Sequence, residues 1–216
     1  MLVKDCMTRH PIMISPTTPA AEAQKIMAEN NIRHLPVVGD GKRLLGLVTR
    51  QSLSLHPETL TSLDVWEISR YLADLTVEKI MTKVVHTIAP ERTAERAASV
   101  MMEHKVGCLP VVEDNVVVGI LSEVDLLHAF QQMLGLPSSG IRVTMRMPDK
   151  AGEFAKLTAA LGQNNIGVMG IGTYPTPRRE GYYDAVLKIR NVTAEKARGV
   201  LSQIPDQEII DIREVA

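Results

Sequence analysis

The feature that most constrains this chain is an internal repeat. The stretch LPVVGDGKRLLGLVTRQSL at residues 35–53 returns as LPVVEDNVVVGILSEVDLL at residues 109–127. The upstream register is constant, because Val3 against Val77 and Leu35 against Leu109 both give an offset of 74 residues. One residue is lost in the turn, so that Gly46 corresponds to Gly119. A register kept over this length indicates two copies of one folding unit.

Each copy predicts the same order of elements, β-α-β-β-α. A short strand (IMIS or VHTIA) leads through a turn into a helix, and the turns GDGKR and EDN then join two apolar strands into a hairpin. A last helix follows Thr49 or Ser122. The repeats take up residues 1–60 and 77–137, with an amphipathic connecting helix at 61–76. Because a unit of this size buries little surface alone, we expect the copies to pack together as a pseudo-twofold pair.

A different pattern follows the second repeat. Residues 140–216 read as a strand, a helix, two strands around the turn TPRRE, a second helix and a final strand. This β-α-β-β-α-β order predicts a ferredoxin-like domain, and it places a domain boundary near residues 138–140. The fold class expected for the whole chain is therefore α+β.

Composition narrows the possible partners. A formal net charge of −1 and an aromatic content of 3% argue against nucleic acid as a partner, since both charge and stacking rings are scarce. No apolar run approaches the ~20 residues that cross a bilayer, and MLVKDCMTRHP lacks the apolar segment of a signal peptide. The two isolated cysteines fit a reducing compartment. We therefore expect a cytoplasmic protein without membrane partners.

The doubled motif carries a family resemblance. The two LPVV hairpins, each continuing through Gly to Thr or Ser, and the openings VKDCMT and VEKIMT resemble tandem CBS domains, the Bateman module. The C-terminal part resembles an ACT domain, whose ligand loop would lie at residues 148–154. This domain order is similar to that of AcuB-type acetoin-utilisation proteins. The resemblance implies a regulatory ligand sensor that associates as a homodimer.

Within that resemblance, Gly119, Ser122 and Asp125 match a motif that holds the ribose of an adenine nucleotide. An Asp in the first turn of a helix can accept hydrogen bonds from both ribose hydroxyls, and a Ser at the helix start suits a phosphate. A second interpretation needs no ligand, because Ser122 and Asp125 also have the spacing of a helix N-cap. The first repeat has Thr49 and Ser52 at these positions. Since a neutral serine is the weaker acceptor, we expect one competent and one degenerate ribose site.

The resemblance also implies residues beyond the ribose motif. In related proteins each cleft is shared, so the adenine pocket facing Asp125 would consist of Ile12, Ile32 and Arg33, with Ile120 from its own strand. Arg33 and His34 stand where related sensors bind phosphate, although a solvated corner between helix and strand explains them equally well. Arg50, beside Thr49, adds positive charge to the degenerate side. The candidate cofactor-binding residues are Asp125, Ser122, Ile120, Ile12, Ile32, Arg33, His34, Thr49 and Arg50.

The leading functional prediction is a non-catalytic sensor of AMP, ADP, ATP or S-adenosylmethionine that signals to the ACT domains or to a regulated protein. The chain has no P-loop, dinucleotide fingerprint or Ser-His-acid set, which argues against an enzyme. The six histidines show no metal-ligand spacing, so we predict no metal site. A structural dimerisation adaptor with a vestigial nucleotide site is the alternative prediction.

Overall fold

The computed structural model describes residues 1–53 and 75–215. They divide into two compact units, Met1–Leu127 and His128–Ala216. The predicted connecting helix at 61–76 lies almost wholly outside the described residues. The helix predicted to end the first repeat also falls largely outside them. The predicted domain limits stay a prediction. The change of unit falls inside a helix, before the boundary expected at residues 138–140.

The first unit contains both repeats, and equivalent elements recur in each. The first repeat contains α1 (Val3–Cys6), β1 (Thr8–Arg9), α2 (Ala20–Glu29), β2 (His34–Val38), a 3-10 turn (Asp40–Lys42) and β3 (Leu44–Thr49). The second contains α3 (Val77–Ile80), α4 (Ala94–His104), β4 (Cys108–Glu113), β5 (Val116–Ser122) and α5 (Glu123–Met133).

The sequence explains where the second-repeat helix α4 begins and ends. Its N-cap Thr93 accepts a hydrogen bond from the backbone N–H of Arg96 at 3.2 Å, which satisfies one of the unpaired donors at a helix start. Ala94, Ala97 and Met101 form its buried face. The helix ends where Lys105 takes a left-handed conformation with φ of 54°. The chain turns at this left-handed residue and continues into β4.

The predicted hairpins β2–β3 and β4–β5 form, but the predicted first strands do not extend. IMIS and VHTIA each reduce to one parallel bridge, between Ile14 and Val37 and between Ile88 and Val111. The flanking prolines, Pro16 and Pro90, have no backbone N–H to continue a ladder. Ile14 still packs in the first-repeat core with Met27, Leu35 and Val48, so the strand prediction was right about burial and wrong about length.

The two repeats exchange their opening segments. In β1 of the first repeat, Thr8 pairs with Ile120 of the second, and the equivalent Thr82 of the second repeat pairs with Leu47 of the first. The motif glycines permit this approach. A Cβ on Gly119 would lie 2.5 Å from Met7 Sδ, and one on Gly46 would lie 2.6 Å from Met81 Sδ. Each repeat therefore completes the sheet of the other.

The second unit has the predicted β-α-β-β-α-β order. Its elements are β6 (Gly140–Pro148), α6 (Glu153–Gln163), β7 (Gly167–Pro175), β8 (Tyr182–Arg190), α7 (Ala194–Leu201) and β9 (Glu208–Val215). The antiparallel sheet has the order β7-β8-β6-β9, the ferredoxin-like arrangement. One sheet face packs on the two helices through Val143, Met145, Leu157, Leu187 and Leu201. Among the described residues, no helix has the length and apolar character required to cross a membrane.

Candidate functional site

The candidate site lies at the ends of the two hairpins in the first unit. The first residue of each hairpin pairs with the last, His34 with Thr49 and Cys108 with Ser122. Just beyond the first pair, the N–H of Arg50 donates to the carbonyl of Arg33 at 2.9 Å. The equivalent bond of the second repeat, from Glu123 N–H to the Gly107 carbonyl, measures 3.1 Å. The paired ends of both hairpins line one opening.

That opening is a cleft of about 610 Å³. The first repeat contributes the ends of β2 and β3, and the second contributes the segment after α3 and the corner between α4 and β4. Four of the predicted site residues lie here together: Arg33, His34, Thr49 and Arg50. The remaining lining residues are Leu47, Gln51, Thr82, Val84, Val85, His86, Lys105, Val106, Gly107, Cys108 and Glu123.

The cleft carries an excess of positive charge. Among the described lining residues, Arg33, Arg50 and Lys105 are cationic and Glu123 is the one carboxylate. Burial lowers the pKa of His34, and the neighbouring Arg33 lowers it further, while Glu123 acts in the opposite direction. The His34 imidazole is therefore neutral at neutral pH. The permanent positive charge of the cleft comes from the arginines and the lysine.

The start of α5 forms a reciprocal capping box. Asp125 Oδ2 accepts hydrogen bonds from Ser122 N and Ser122 Oγ, both at 2.7 Å. In return, the N–H of Asp125 donates to Ser122 Oγ at 3.3 Å. This is the ligand-free interpretation of the motif, in which serine and carboxylate satisfy each other's backbone groups.

The first repeat forms the same arrangement without a carboxylate. Thr49 N donates to Ser52 Oγ at 3.0 Å, and Ser52 N donates to Thr49 Oγ1 at 3.1 Å. The hydroxyl of Ser52 also donates to the Thr49 carbonyl at 2.9 Å. Serine thus replaces aspartate in the cap with its geometry preserved, so capping alone does not require the carboxylate at Asp125.

Asp125 lies outside the lining of the 610 Å³ cleft. Its charge acts on one thiol from each repeat. Burial raises the pKa of Cys6, and the negative charge of Asp125 raises it further. Burial, Glu123 and Asp125 together raise the pKa of Cys108 to about 12. The carboxylate therefore lies near residues of both repeats, and its Oδ1 makes no hydrogen bond to any other described residue.

The other predicted residues of the adenine pocket also lie outside this lining. Ile12 is 40% exposed, Ile32 packs against the first-repeat core, and Ile120 pairs with Thr8 beside the motif. Arg33 lines the cleft together with Thr49, and that it faces Asp125 stays a prediction. The cationic residues are part of the described lining, and Asp125 is not.

The family model for the CBS domain matches this chain twice, at residues 3–56 and 77–132. The chain belongs to the CBS domain family. Its CBS pair is similar to many solved structures. The acetoin utilization protein AcuB of Vibrio cholerae is 32% identical, with a TM-score of 0.54 over 63% of this chain and 94% of that one.

Two further CBS-pair structures carry adenosine compounds. The CBS pair of MJ0100, in complex with 5-methylthioadenosine and S-adenosyl-L-methionine, is 29% identical, with a TM-score of 0.50 over 60% of this chain and 95% of that one. CBSX2 in complex with AMP is 26% identical, with a TM-score of 0.51 over 61% and 96%. CBS pairs similar to this one therefore bind adenosine ligands.

Several curated relatives are enzymes much longer than this chain. The L-aspartate semialdehyde sulfurtransferase of Methanocaldococcus jannaschii is 32% identical over 132 residues, which cover 60% of this chain and 23% of that protein. The alignment is of the length of the CBS pair, so the similarity concerns the regulatory module.

Part of the CBS cleft was not predicted from the sequence. Lys105, Val106 and His86 line it, and each stands 74 residues after a position in the first repeat, namely Asn31, Ile32 and Ile12. Applying the repeat offset to Ile12 and Ile32 of the predicted adenine pocket would have found His86 and Val106. Lys105 would not have been found in this way, because its counterpart Asn31 was not among the predicted residues. His86 also stacks on His104, with ring centroids 3.7 Å apart. Within residues 1–53 and 75–215, no cluster of three or more His, Cys, Asp or Glu side chains is placed to hold a metal ion.

Proposed function

We propose that this protein is a non-catalytic regulatory sensor whose CBS pair binds an adenine nucleotide. The observation that carries the proposal is the convergence of Arg33, Arg50 and Lys105 on one cleft between the repeats. Guanidinium and ammonium groups are the usual partners of phosphate oxygens in proteins. Solved CBS pairs with AMP or with adenosine sulfur compounds support the same ligand class.

The cleft fits such a ligand in size and charge. Its volume of about 610 Å³ lies inside the range of roughly 300–1,000 Å³ typical of small-molecule sites. The cationic lining favours AMP, ADP or ATP over S-adenosylmethionine, because the sulfonium of the latter is itself positive. Arg33 and Arg50 would hold phosphates, and the apolar Val85 and Val106 would contact the adenine.

The ribose contact differs between the two sides of the pair. On the cationic side, Thr49 and Ser52 offer neutral hydroxyls already engaged in the cap. On the other side, Asp125 offers Oδ1 while Oδ2 keeps the cap. We infer that the cationic cleft selects for phosphate. The Asp125 side would accept the diol of an uncharged or cationic adenosine compound.

Binding would regulate by shifting populations. A ligand that contacts both repeats stabilises the arrangement of the repeats that it binds more tightly. It changes the populations only through the difference between its affinities for the two arrangements. The signal would pass to the C-terminal ferredoxin-like unit, which we propose to be an ACT domain, or to a partner protein. A homodimer would be the signalling assembly.

Calorimetry of the whole protein with AMP, ADP, ATP and S-adenosylmethionine tests the proposal. Replacing Arg33 with Ala should weaken binding of the preferred nucleotide by roughly tenfold or more, since one charge-assisted hydrogen bond contributes about 1.5–3 kcal/mol. The matched control is Arg96→Ala, at the opposite end of α4 from the cleft residue Lys105. If none of the four compounds bound at millimolar concentration, the proposal of an adenine nucleotide sensor would be contradicted.

The two capping boxes favour a second candidate, a dimerisation adaptor with a vestigial site. They account for Ser122 and Asp125 without any ligand. The adaptor predicts no heat of binding with any adenosine compound. It also predicts that Arg33→Ala leaves the oligomeric state and partner capture unchanged. Turnover of a bound nucleotide would contradict both candidates, because neither includes catalysis.

A further inference from the structure

A buried lysine lies in the ferredoxin-like unit, on the sheet face that points away from the helices. Along β8, Leu187 and Ile189 pack into the core with the helices. The alternation of a strand directs Val186 and Lys188 to the opposite face. Lys188 is nevertheless only 3% exposed. Its Nζ has no hydrogen-bond partner among the residues the structure describes.

The chain that follows α5 buries this lysine. Residues 133–136 pass so close to β7 that a Cβ on Gly170 would lie 2.5 Å from the nitrogen of Gly135 and 2.6 Å from the carbonyl oxygen of Met133. Gly135, with φ of 81°, lies over the stem of Lys188, where an added Cβ would be 3.2 Å from the lysine Cβ. The glycines allow backbone to cover the sheet face.

A cavity of about 370 Å³ borders the lysine. Its walls are largely apolar and include Leu134, Leu136, Tyr174, Val186 and Val215. The second cation in its lining, Arg142, is already paired. Its Nη1 donates to Asp211 Oδ2 at 3.0 Å and to Thr144 Oγ1 at 3.1 Å. Within the described lining, Lys188 is therefore the positive charge that lacks an acid.

An ammonium group buried without an acceptor is unfavourable by several kcal/mol. A single carboxylate placed against Nζ would supply both the missing acceptor and the missing charge. A phosphate dianion would bring a second charge with no further cation to meet it. The apolar walls would bury a hydrocarbon tail. The apolar walls and the one unpaired cation of the described lining suit an acid with a short hydrocarbon chain and not a nucleotide.

We infer that this cavity binds a small apolar monocarboxylate, with the carboxylate held by Lys188. The inference concerns the second unit alone and is independent of the nucleotide cleft. The protein would then bind a second small molecule, of a chemical class distinct from adenine nucleotides.

Calorimetry of the full chain with acetate, butyrate, isovalerate and hexanoate tests the inference. The neutral isosteres butyramide and isovaleramide serve as ligand controls. We expect butyrate and isovalerate to bind at least tenfold more tightly than their amides, because the amide lacks the charge that meets the ammonium. Acetate should bind more weakly than butyrate, since it leaves the apolar walls uncovered. Equal binding of acids and amides, or no binding of any acid at 10 mM, would overturn the inference.

The variant Lys188→Met keeps the length and burial of the side chain and removes its charge. We expect it to fold and to lose carboxylate binding by roughly tenfold to a hundredfold. Lys196→Met, on the exposed side of α7, is the matched control and should bind like the parent. Val186→Phe fills the cavity without altering charge, and it should weaken hexanoate more than acetate. If Lys188→Met changed only the oligomeric state, an acid of a second copy would be the true partner and the inference would fail.

Discussion

The cap and the ribose contact of Asp125 can be separated by exchanging residues between the repeats. Asp125→Ala removes two hydrogen bonds of 2.7 Å and a negative charge near a helix N-terminus. Loss of a cap costs about 0.5–2 kcal/mol, and loss of the charge adds about 0.3–1 kcal/mol. We therefore expect Asp125→Ala to lower the free energy of unfolding by about 1–3 kcal/mol.

Asp125→Ser installs the residue that the first repeat uses. Ser52 accepts from Thr49 N at 3.0 Å, so the new serine should re-form the bond to Ser122 N and lose only the charge. We expect this variant to retain all but about 0.5 kcal/mol of the stability. Urea denaturation followed by far-ultraviolet circular dichroism measures both changes.

Nucleotide affinity gives the second readout for the same variants. If Asp125 holds a ribose, both substitutions should weaken adenosine binding by about tenfold or more, although only the alanine variant loses much stability. If Asp125 only caps α5, neither should change the affinity. A stabilising cap at Asp125 is contradicted if Asp125→Ala unfolds at the same urea concentration as the parent protein. It is also contradicted if the alanine and serine variants are destabilised equally.

Three further outcomes follow from the structure. Gly119→Ala should destabilise the folded protein by about 1–3 kcal/mol, because the added Cβ would overpack against Met7. Gly162→Ala, whose Cβ would meet open space in α6, should instead stabilise the protein by about 0.5–1 kcal/mol. The midpoints of urea denaturation measure both changes. Cys108, with its pKa raised to about 12, should resist Ellman's reagent at pH 8 in the folded protein, and stability should fall above pH 9 as the unfolded thiol ionises. Hydrogen bonds from Arg146 lower the pKa of Asp184, so stability should decline as the pH falls below about 4, and Asp184→Asn should weaken this acid dependence.

Much of the fold could be read from periodicity and repetition. The hairpins around GDGKR and EDN and the order of the C-terminal elements have the patterns of ordinary strands and helices. The exchange of β1 could not be read, because Thr8 and Arg9 form a two-residue strand with no period to detect. The shortening of IMIS to a single bridge depends on tertiary pairing with Val37.

The types of residue in the candidate site could be predicted from the sequence, but not which of them lie together in one cleft. The chain order places Arg33 and Thr49 in one repeat and Lys105 in the other, and only the packing of the repeats brings them to one cleft. The motif indicated Asp125 for two roles, and the structure shows the capping role directly. The sheet face on which Lys188 lies follows from alternation along β8. Its burial could not be predicted, because it depends on backbone more than 50 residues earlier in the chain, near Gly135 and Leu136.

The exchanged opening segments bear on how such a protein arose. A contact in which Thr8 meets Ile120 and Thr82 meets Leu47 is the isologous contact that two identical single-repeat chains would make. Joining two such chains into one would require only a linker, with no new interface. The same reciprocity means that fragments 1–60 and 77–216, produced together, should reassociate into a working pair, whereas either one alone would have an incomplete sheet.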